Sequence, residues 1–215
     1  KVQSALLEVM QERQVTIAGE THKVPEPFLV MATQNPIETE GTYPLPEAQV
    51  DRFMMKVLVD YPTDEEEFVI VQRVTGPAVS ANPVATTEQL AGLQGICRKV
   101  YVDPSLIQYA VKLVSATRTP EKHGLKELGR FITYGASPRA TINLTEAARA
   151  LAMLRGRTYV LPQDMSDLVP DVFRHRIVLS YEALAEGLSA DAIVGKIMAR
   201  IAAPPKPLEH EALAA

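Results

Sequence analysis

The sequence predicts the end of an α/β layer followed by an all-helical domain, with helix predominating over the whole chain. Two apolar runs of strand length, FLVMAT (28–33) and MMKVLVD (54–60), enclose a short helical segment. After residue 62, helical spacing and capping residues recur in one segment after another. We therefore expect three regions, which are an α/β region (residues 1–61), a helical domain (residues 62–203) and a flexible tail (residues 204–215).

The α/β region begins with an apolar-faced helix in KVQSALLEVMQER (1–13), which has no N-cap ahead of it. We expect the chain to be a piece of a longer protein for this reason. The next segment, RQVTIAGETHKVP, alternates apolar and polar residues around Gly19. This pattern predicts a β-hairpin in which Gly19 supplies the turn.

The runs FLVMAT and MMKVLVD are continuous and apolar, which is typical of strands covered on both faces in a parallel sheet. Between them, PEAQVDRF predicts a short helix with Pro46 in its first turn. Two strands and one helix would leave such a sheet unpaired and uncovered. The α/β region therefore requires further chain or a partner.

The helical domain opens with a capping box, in which Thr63 and Glu66 begin a helix in TDEEEFVIVQRV. The segment GPAVSANPVATT is a linker by composition. Later helices carry their own caps, such as Asp103-Pro104 and Ser137-Pro138. The predicted helices are 87–99, 103–118, 137–155, 163–175 and 189–202, with short extended pieces at 100–102 and 158–161.

Charge and composition exclude several classes of function. The net charge is -4 over 215 residues, and lysine and arginine are interspersed with acidic residues. We therefore expect no nucleic-acid binding and no polybasic membrane contact. No apolar run approaches the roughly 20 residues that span a bilayer, so no membrane insertion is expected. A single cysteine, Cys97, suits a reducing compartment, and we expect a cytoplasmic protein.

Asn35 comes where the apolar run FLVMAT ends, directly before Pro36. Ligands of open α/β sheets bind beyond the carboxyl ends of the strands, so a side chain here would point into that crevice. An amide both donates and accepts, which suits holding a water beside a phosphate. The alternative is that Gln34-Asn35-Pro36 is only a turn.

Two arginines lie at the ends of predicted elements. Arg52 follows the short helix, and its guanidinium either pairs with a carboxylate such as Asp51 or Glu47 or faces outward toward an anion. Arg139 falls in the first turn of a helix capped by Ser137, where the helix dipole disfavours a cation. That position predicts an anionic partner for Arg139.

The four histidines are scattered over separate elements, so we predict no metal site. Three consecutive basic residues, Arg174, His175 and Arg176, fall near a predicted helix end. Helix capping explains them, and a role at a subunit interface is the alternative.

Three stretches together resemble the MoxR family of AAA+ ATPases. They are KVQSALLEVMQERQVTI, FLVMATQNPIETEGTYPLPEAQVDRF and GASPRA, and the resemblance covers nearly the whole chain. It implies the C-terminal portion of an AAA+ P-loop core joined to its all-α lid. It further implies that Asn35 is the sensor 1 residue, Arg52 the arginine finger and Arg139 the sensor 2 arginine, which also binds nucleotide.

The resemblance implies ATP and Mg²⁺ as cofactors of the full-length protein, which would be an ATPase acting as a homo-oligomeric ring, typically a hexamer. Such a ring remodels or helps to assemble other proteins, among them proteins with von Willebrand factor A domains. An arginine supplied by a neighbouring subunit contributes on the order of 10³ to 10⁵ in rate to phosphoryl transfer. Whether Arg139 acts in its own subunit or across the interface stays open.

The sequence contains no G-x-x-x-x-G-K-[ST], and its single Gly-Lys pair, Gly195-Lys196, is followed by isoleucine. The strand ending in Asp-Glu that holds Mg²⁺ in the family is missing too. We therefore expect this chain alone to be inactive and to bind little ATP. Two alternatives remain, a non-enzymatic helical interaction module and an AAA+ motor of chelatase or DNA-translocating type.

Overall fold

A computed structural model describes residues 8–10, 12–34, 45–78 and 80–205 of the chain. Helix accounts for most of them, and the strands form two small two-stranded sheets within these residues. This agrees with the predicted class, in which helix predominates. The predicted N-terminal helix lies largely outside the described residues, and so does most of the predicted tail.

The predicted hairpin is confirmed. Strands β1 (Gln14–Ile17) and β2 (Glu20–Lys23) pair antiparallel, with Ile17 opposite Glu20. Ala18 and Gly19 both have positive φ, at 53° and 90°. A two-residue turn with this geometry matches the twist of the two strands, and glycine adopts it without a steric penalty.

The two predicted parallel strands are wrong for this chain. Residues 28–34 and 55–60 have no strand structure, although helix α1 (Glu47–Val50) forms between them as predicted, with Pro46 as its N-cap. Many apolar side chains of both runs face solvent, including Leu29, which is 80% exposed, and Val59, which is 90% exposed. A parallel strand forms only with neighbouring strands to hydrogen-bond, and the described residues supply none to these runs.

The helices follow the predicted order to within about two residues at each end. Helix α2 (Asp64–Thr75) has the Thr63–Glu66 capping box, and helix α3 (Thr87–Cys97) follows the linker. Helix α4 (Pro104–Arg118) is capped by Asp103, and helix α5 (Pro138–Leu154) by Ser137. The remaining helices are α6 (Pro162–Phe173), α7 (Tyr181–Ala185) and α8 (Ala190–Arg200).

The buried hydrophobic core of the described residues lies between positions 100 and 197 of the chain. Its buried members begin at Val100 and end at Ile197, and they come mainly from α4, α5, α6 and α8. Helix α4 contributes Leu106, Ala110, Leu113 and Val114 at helical spacing, each with no exposed surface. Helices α2 and α3 have no buried residue and lie outside this core.

Two small β elements support the bundle. Tyr101 and Tyr159 form a parallel bridge, which agrees with the extended pieces predicted there. Strands β3 (Ile132–Tyr134) and β4 (Val178–Leu179) pair antiparallel and were not predicted from the sequence. Two 3₁₀ turns, Pro120–His123 and Lys126–Phe131, connect α4 to β3. Among the described helices, none combines the length and the apolar character that crossing a bilayer requires.

Candidate functional site

A short loop after α1 packs against the helical bundle and places Asp51, the residue before Arg52, in contact with Arg139. This loop, residues 51–56, is called the finger loop below. Its backbone contacts the end of α6 and the 3₁₀ turn Arg174–Arg176, and Lys56 N–H donates to Asp171 O at 2.8 Å. Met55 packs against the hydrophobic core. The finger loop is therefore fixed to the helical domain.

Asp51 is the centre of the polar contacts. Its carboxylate accepts hydrogen bonds from Ser137 Oγ at 2.9 Å, Arg139 Nη1 at 3.0 Å and Arg176 Nε at 3.1 Å. Burial raises the pKa of Asp51, but the bonds from Arg139 and Ser137 and the charge of Arg176 outweigh it. The pKa of Asp51 is therefore below its ordinary value, and the carboxylate is ionised at neutral pH.

Arg52 is half-buried and follows Asp51 in the turn after α1. Its Nε atom is buried and has no hydrogen-bond partner, and no carboxylate of the described residues forms an ion pair with its guanidinium. The structure does not contain the alternative ion pair between Arg52 and Asp51. Asp51 instead accepts hydrogen bonds from Ser137, Arg139 and Arg176. The guanidinium of Arg52 is thus available to an anion.

Arg139 lies in the first turn of α5, and its anionic partner is Asp51. The backbone N–H of Arg139 donates to Ser137 Oγ at 3.2 Å, which caps the helix. The Arg139 side chain remains 48% exposed. An exposed ion pair of this kind is worth about 0–1 kcal/mol, so a stronger anion such as a phosphate could replace the carboxylate.

The three basic residues of the 3₁₀ turn bind the finger loop, whereas the sequence favoured helix capping for them. Arg176 donates to Asp51 O and to the carbonyls of Phe53 and Met54. His175 Nε2 lies 3.2 Å from Phe53 O and donates to it. Arg174 donates to Lys56 O. No local pattern signals these contacts, because more than 115 residues separate the partners.

Burial is the main cause that lowers the pKa of His175, and the positive charge of Arg176 lowers it further, to about 4. His175 is therefore neutral at pH 7 and carries its proton on Nε2. Burial also lowers the pKa of Arg176, against the raising effect of Asp51. The guanidinium remains charged because its ordinary value is far above neutrality.

Asn35 lies outside the described residues, so its role stays a prediction. Arg52 is next to Asp51 in the sequence, and Arg139 forms an ion pair with Asp51. In residues 8–10, 12–34, 45–78 and 80–205, no group of three or more histidine, cysteine, aspartate or glutamate side chains is arranged to hold a metal ion. The described residues therefore supply no such set of ligands for Mg²⁺.

The chain matches known proteins over both halves. A model of the ATPase family associated with various cellular activities (AAA) matches residues 1–55, and an AAA lid domain model matches residues 129–197. Chaperone MoxR1 of Mycobacterium tuberculosis is 50% identical over 95% of this chain and 54% of its own length. Protein MoxR of Paracoccus denitrificans is 34% identical over 95% of this chain and 64% of its own.

A solved structure agrees with these relatives. The crystal structure of a proposed ATPase from Cytophaga hutchinsonii superposes with a TM-score of 0.90 at 45% identity. The match covers 95% of this chain and 62% of that one. The chain thus spans between about half and two thirds of the length of the proteins it matches.

Proposed function

Because the chain belongs to the MoxR family of AAA+ ATPases, we propose that it is the C-terminal portion of an enzyme that hydrolyses ATP in a hexameric ring. Residues 1–61 would complete the nucleotide-binding core, residues 62–203 would form its lid and residues 204–215 a tail. The exposed apolar runs 28–33 and 54–60 support this division, since they would be strands once the rest of the core is present.

The observation that carries the proposal is the state of Arg52. It has no carboxylate partner in the described residues of the chain, while its neighbour Asp51 receives three side-chain donors. A guanidinium fixed on an ordered loop and left without a counterion is suited to a charge that develops in a transition state. Arg52 would contact the nucleotide of the next subunit as an arginine finger.

Arg139 and Asn35 complete the proposed machinery. Arg139 would exchange Asp51 for the γ-phosphate and draw the lid toward it, and Asn35 would orient the attacking water. AAA+ relatives generally use a nucleotide with Mg²⁺, whose charge offsets that of the phosphates. The residues that hold Mg²⁺ would come from outside the described residues of this chain.

The task of the ring would be to remodel partner proteins or to assist their assembly. The name of the relative Chaperone MoxR1 supports a chaperone role. Partners with von Willebrand factor A domains belong to the proposal because the family resemblance implies them. A cytoplasmic location is also part of the proposal.

The test is the Arg52→Ala substitution in the full-length protein. We expect nearly normal ATP binding and a fall in kcat of about 10³-fold or more. Mixing Arg52→Ala subunits with Asn35→Ala subunits should restore some of the hydrolysis, because each then supplies what its neighbour lacks. Arg118→Ala, at an exposed arginine at the end of α4, is the control and should keep the normal rate.

If Arg52→Ala retains the full rate, the chain does not act as the proposed finger. The non-enzymatic helical interaction module would then account for the fold. A chelatase-like motor would instead keep the finger and show loss of a metal cofactor from its partner when the gene is deleted.

A further inference from the structure

Arg176 is a buried cation whose hydrogen bonds go mainly to the finger loop. Its side chain has no exposed surface. Nε donates to Asp51 Oδ1 at 3.1 Å, and Nη2 donates to Asp51 O at 3.0 Å and to Phe53 O. Nη1 donates to Met54 O at 3.2 Å and to Val172 O. All five N–H groups of the guanidinium are therefore used.

Four of these five acceptors belong to residues 51, 53 and 54, which enclose Arg52 in the chain. The fifth, Val172 O, belongs to α6 and anchors Arg176 to the helical domain. Burying a guanidinium without these acceptors would destabilise the folded chain by several kcal/mol. The backbone on both sides of Arg52 is thus held in one conformation, while the Arg52 side chain takes part in none of these bonds.

The neighbours of Arg176 extend the attachment along the loop. His175 donates to Phe53 O at 3.2 Å, and Arg174 donates to Lys56 O. Arg174 is itself fixed by Asp191, whose Oδ1 lies 3.0 Å from Nε. All three residues of the 3₁₀ turn Arg174–Arg176 therefore bind the finger loop.

We infer that Arg176 is a positioning residue for Arg52, which holds the finger loop on the lid so that the Arg52 guanidinium reaches the neighbouring nucleotide in a fixed geometry. The inference rests on the proposed function of Arg52. Electrostatic stabilisation of a transition state depends on donors that are already in place, and a misplacement of about 1 Å costs on the order of 10²-fold in rate. A loop released from Arg176 would lose this preorganisation.

The experiment is Arg176→Lys in the full-length ring. Lysine keeps the charge but has three donors on one nitrogen, so it cannot bridge carbonyls on both sides of Arg52. We expect kcat to fall on the order of 10²-fold with the KM for ATP unchanged, since the finger acts on the transition state. We also expect Asn35→Ala subunits to restore hydrolysis in mixed rings, because they bring an intact finger loop.

The matched control is Arg157→Lys. Arg157 is another lid arginine, 20% exposed, and its partners are Asp164 and Tyr159 O within the helical domain. We expect this variant to lower the melting temperature and to leave kcat unchanged. A purely structural role for Arg176 would make the two variants alike.

A folded, ring-forming Arg176→Lys variant with normal kcat would overturn the inference, and so would a loss of kcat that mixed rings do not recover. If Arg176→Lys fails to fold, Asp51→Asn replaces it, since that change removes the negative charge that pairs with Arg176 and keeps the backbone carbonyls. Asp51→Asn must then show the same recoverable loss of kcat, and either a normal rate or an unrecovered loss contradicts the inference.

Arg52→Ala, measured in parallel, separates the two proposals. If Arg52→Ala keeps its rate, the finger assignment fails and the inference fails with it. If Arg52→Ala shows a recoverable loss and Arg176→Lys does not, the finger assignment stands and only the positioning role is overturned.

Discussion

Asp51 and Arg139 form an ion pair at 3.0 Å although 88 residues separate them in the chain. The pair joins the finger loop to the first turn of α5, and the same carboxylate binds Ser137 and Arg176. A single side chain therefore connects the residue before the proposed finger to the proposed phosphate sensor.

Asp51→Ala should destabilise the 215-residue chain by about 2–3 kcal/mol. The reason is that Arg176, which has no exposed surface, would lose its only carboxylate within the described residues. Urea unfolding followed by circular dichroism measures the change. Glu47→Ala, at an exposed acid on the preceding helix, is the matched control and should change stability by less than about 0.5 kcal/mol. Equal effects of the two variants would contradict the assigned role of Asp51.

Arg139→Gln should separate nucleotide binding from stability. The Arg139 side chain is 48% exposed, so loss of its ion pair should cost the chain no more than about 1 kcal/mol. In the full-length protein the same change should weaken ATP binding measurably in a calorimetric titration. Arg149→Gln, which removes an ion pair within α5, is the control. Unchanged ATP affinity in Arg139→Gln would argue against the sensor assignment.

His175 should make the stability of the chain depend on pH between about 6.5 and 4. Its folded-state pKa, about 4, lies below the unfolded value near 6.5. The unfolded chain therefore binds more protons in this range, and the free energy of unfolding should fall as the pH is lowered. Arg176 and Lys56 disfavour the charged ring, and Asp51 favours it.

The measurement for His175 is urea unfolding at several pH values for the parent chain and for His175→Gln. The variant should have a smaller slope of stability against pH in this range. His22→Gln, on the exposed hairpin, is the control for the exchange of a histidine for glutamine. A His175→Gln chain with the parent slope would contradict the prediction. Asp51 and Asp164, whose pKa values are lowered in the folded chain, also lose their stabilising effect as the pH falls, so the difference between the parent and His175→Gln is what isolates the contribution of His175.

Gly135→Ala should lower stability by about 2 kcal/mol. A Cβ at this position would overlap the carbonyl of Thr117 and lie 2.7 Å from the backbone nitrogen of Arg118. Gly95→Ala is the matched control, because a Cβ there meets nothing within 4 Å on helix α3. That change should stabilise the chain by about 0.5–1 kcal/mol through helix propensity. Thermal melts of both variants check that the melting temperature falls for Gly135→Ala and rises for Gly95→Ala. An unchanged melting temperature for Gly135→Ala would show that Gly135 does not approach the backbone of Thr117 this closely in solution.

Local signals account for what the sequence predicted well. The Thr63–Glu66 capping box, the caps Asp103 and Ser137 and the hairpin turn at Gly19 each depend on residues a few positions apart. The strand predictions for FLVMAT and MMKVLVD were wrong because a strand depends on its neighbours, which the described residues do not provide. The pairing of β3 with β4 was missed for the same reason, since its partners lie about 45 residues apart.

The same distinction between local and long-range interactions holds for the candidate site. The anionic partner of Arg139 could be predicted, because a cation in the first turn of a helix is unfavourable without one. The identity of that partner as Asp51 could not, since charge pattern does not specify which distant carboxylate is near. The binding of Arg176 to the finger loop left no trace in the sequence, because backbone carbonyls are present at every residue.

The contacts of Arg176 with the carbonyls of Phe53 and Met54 have an evolutionary consequence. Every amino acid carries a backbone oxygen, so exchange of these two side chains would leave both bonds in place. Substitutions at positions 53 and 54 therefore leave the hydrogen bonds between Arg176 and the finger loop in place. Position 176 itself requires arginine, because only a guanidinium provides five donors in one plane. Homologous chains that diverge in the loop should still share the arginine.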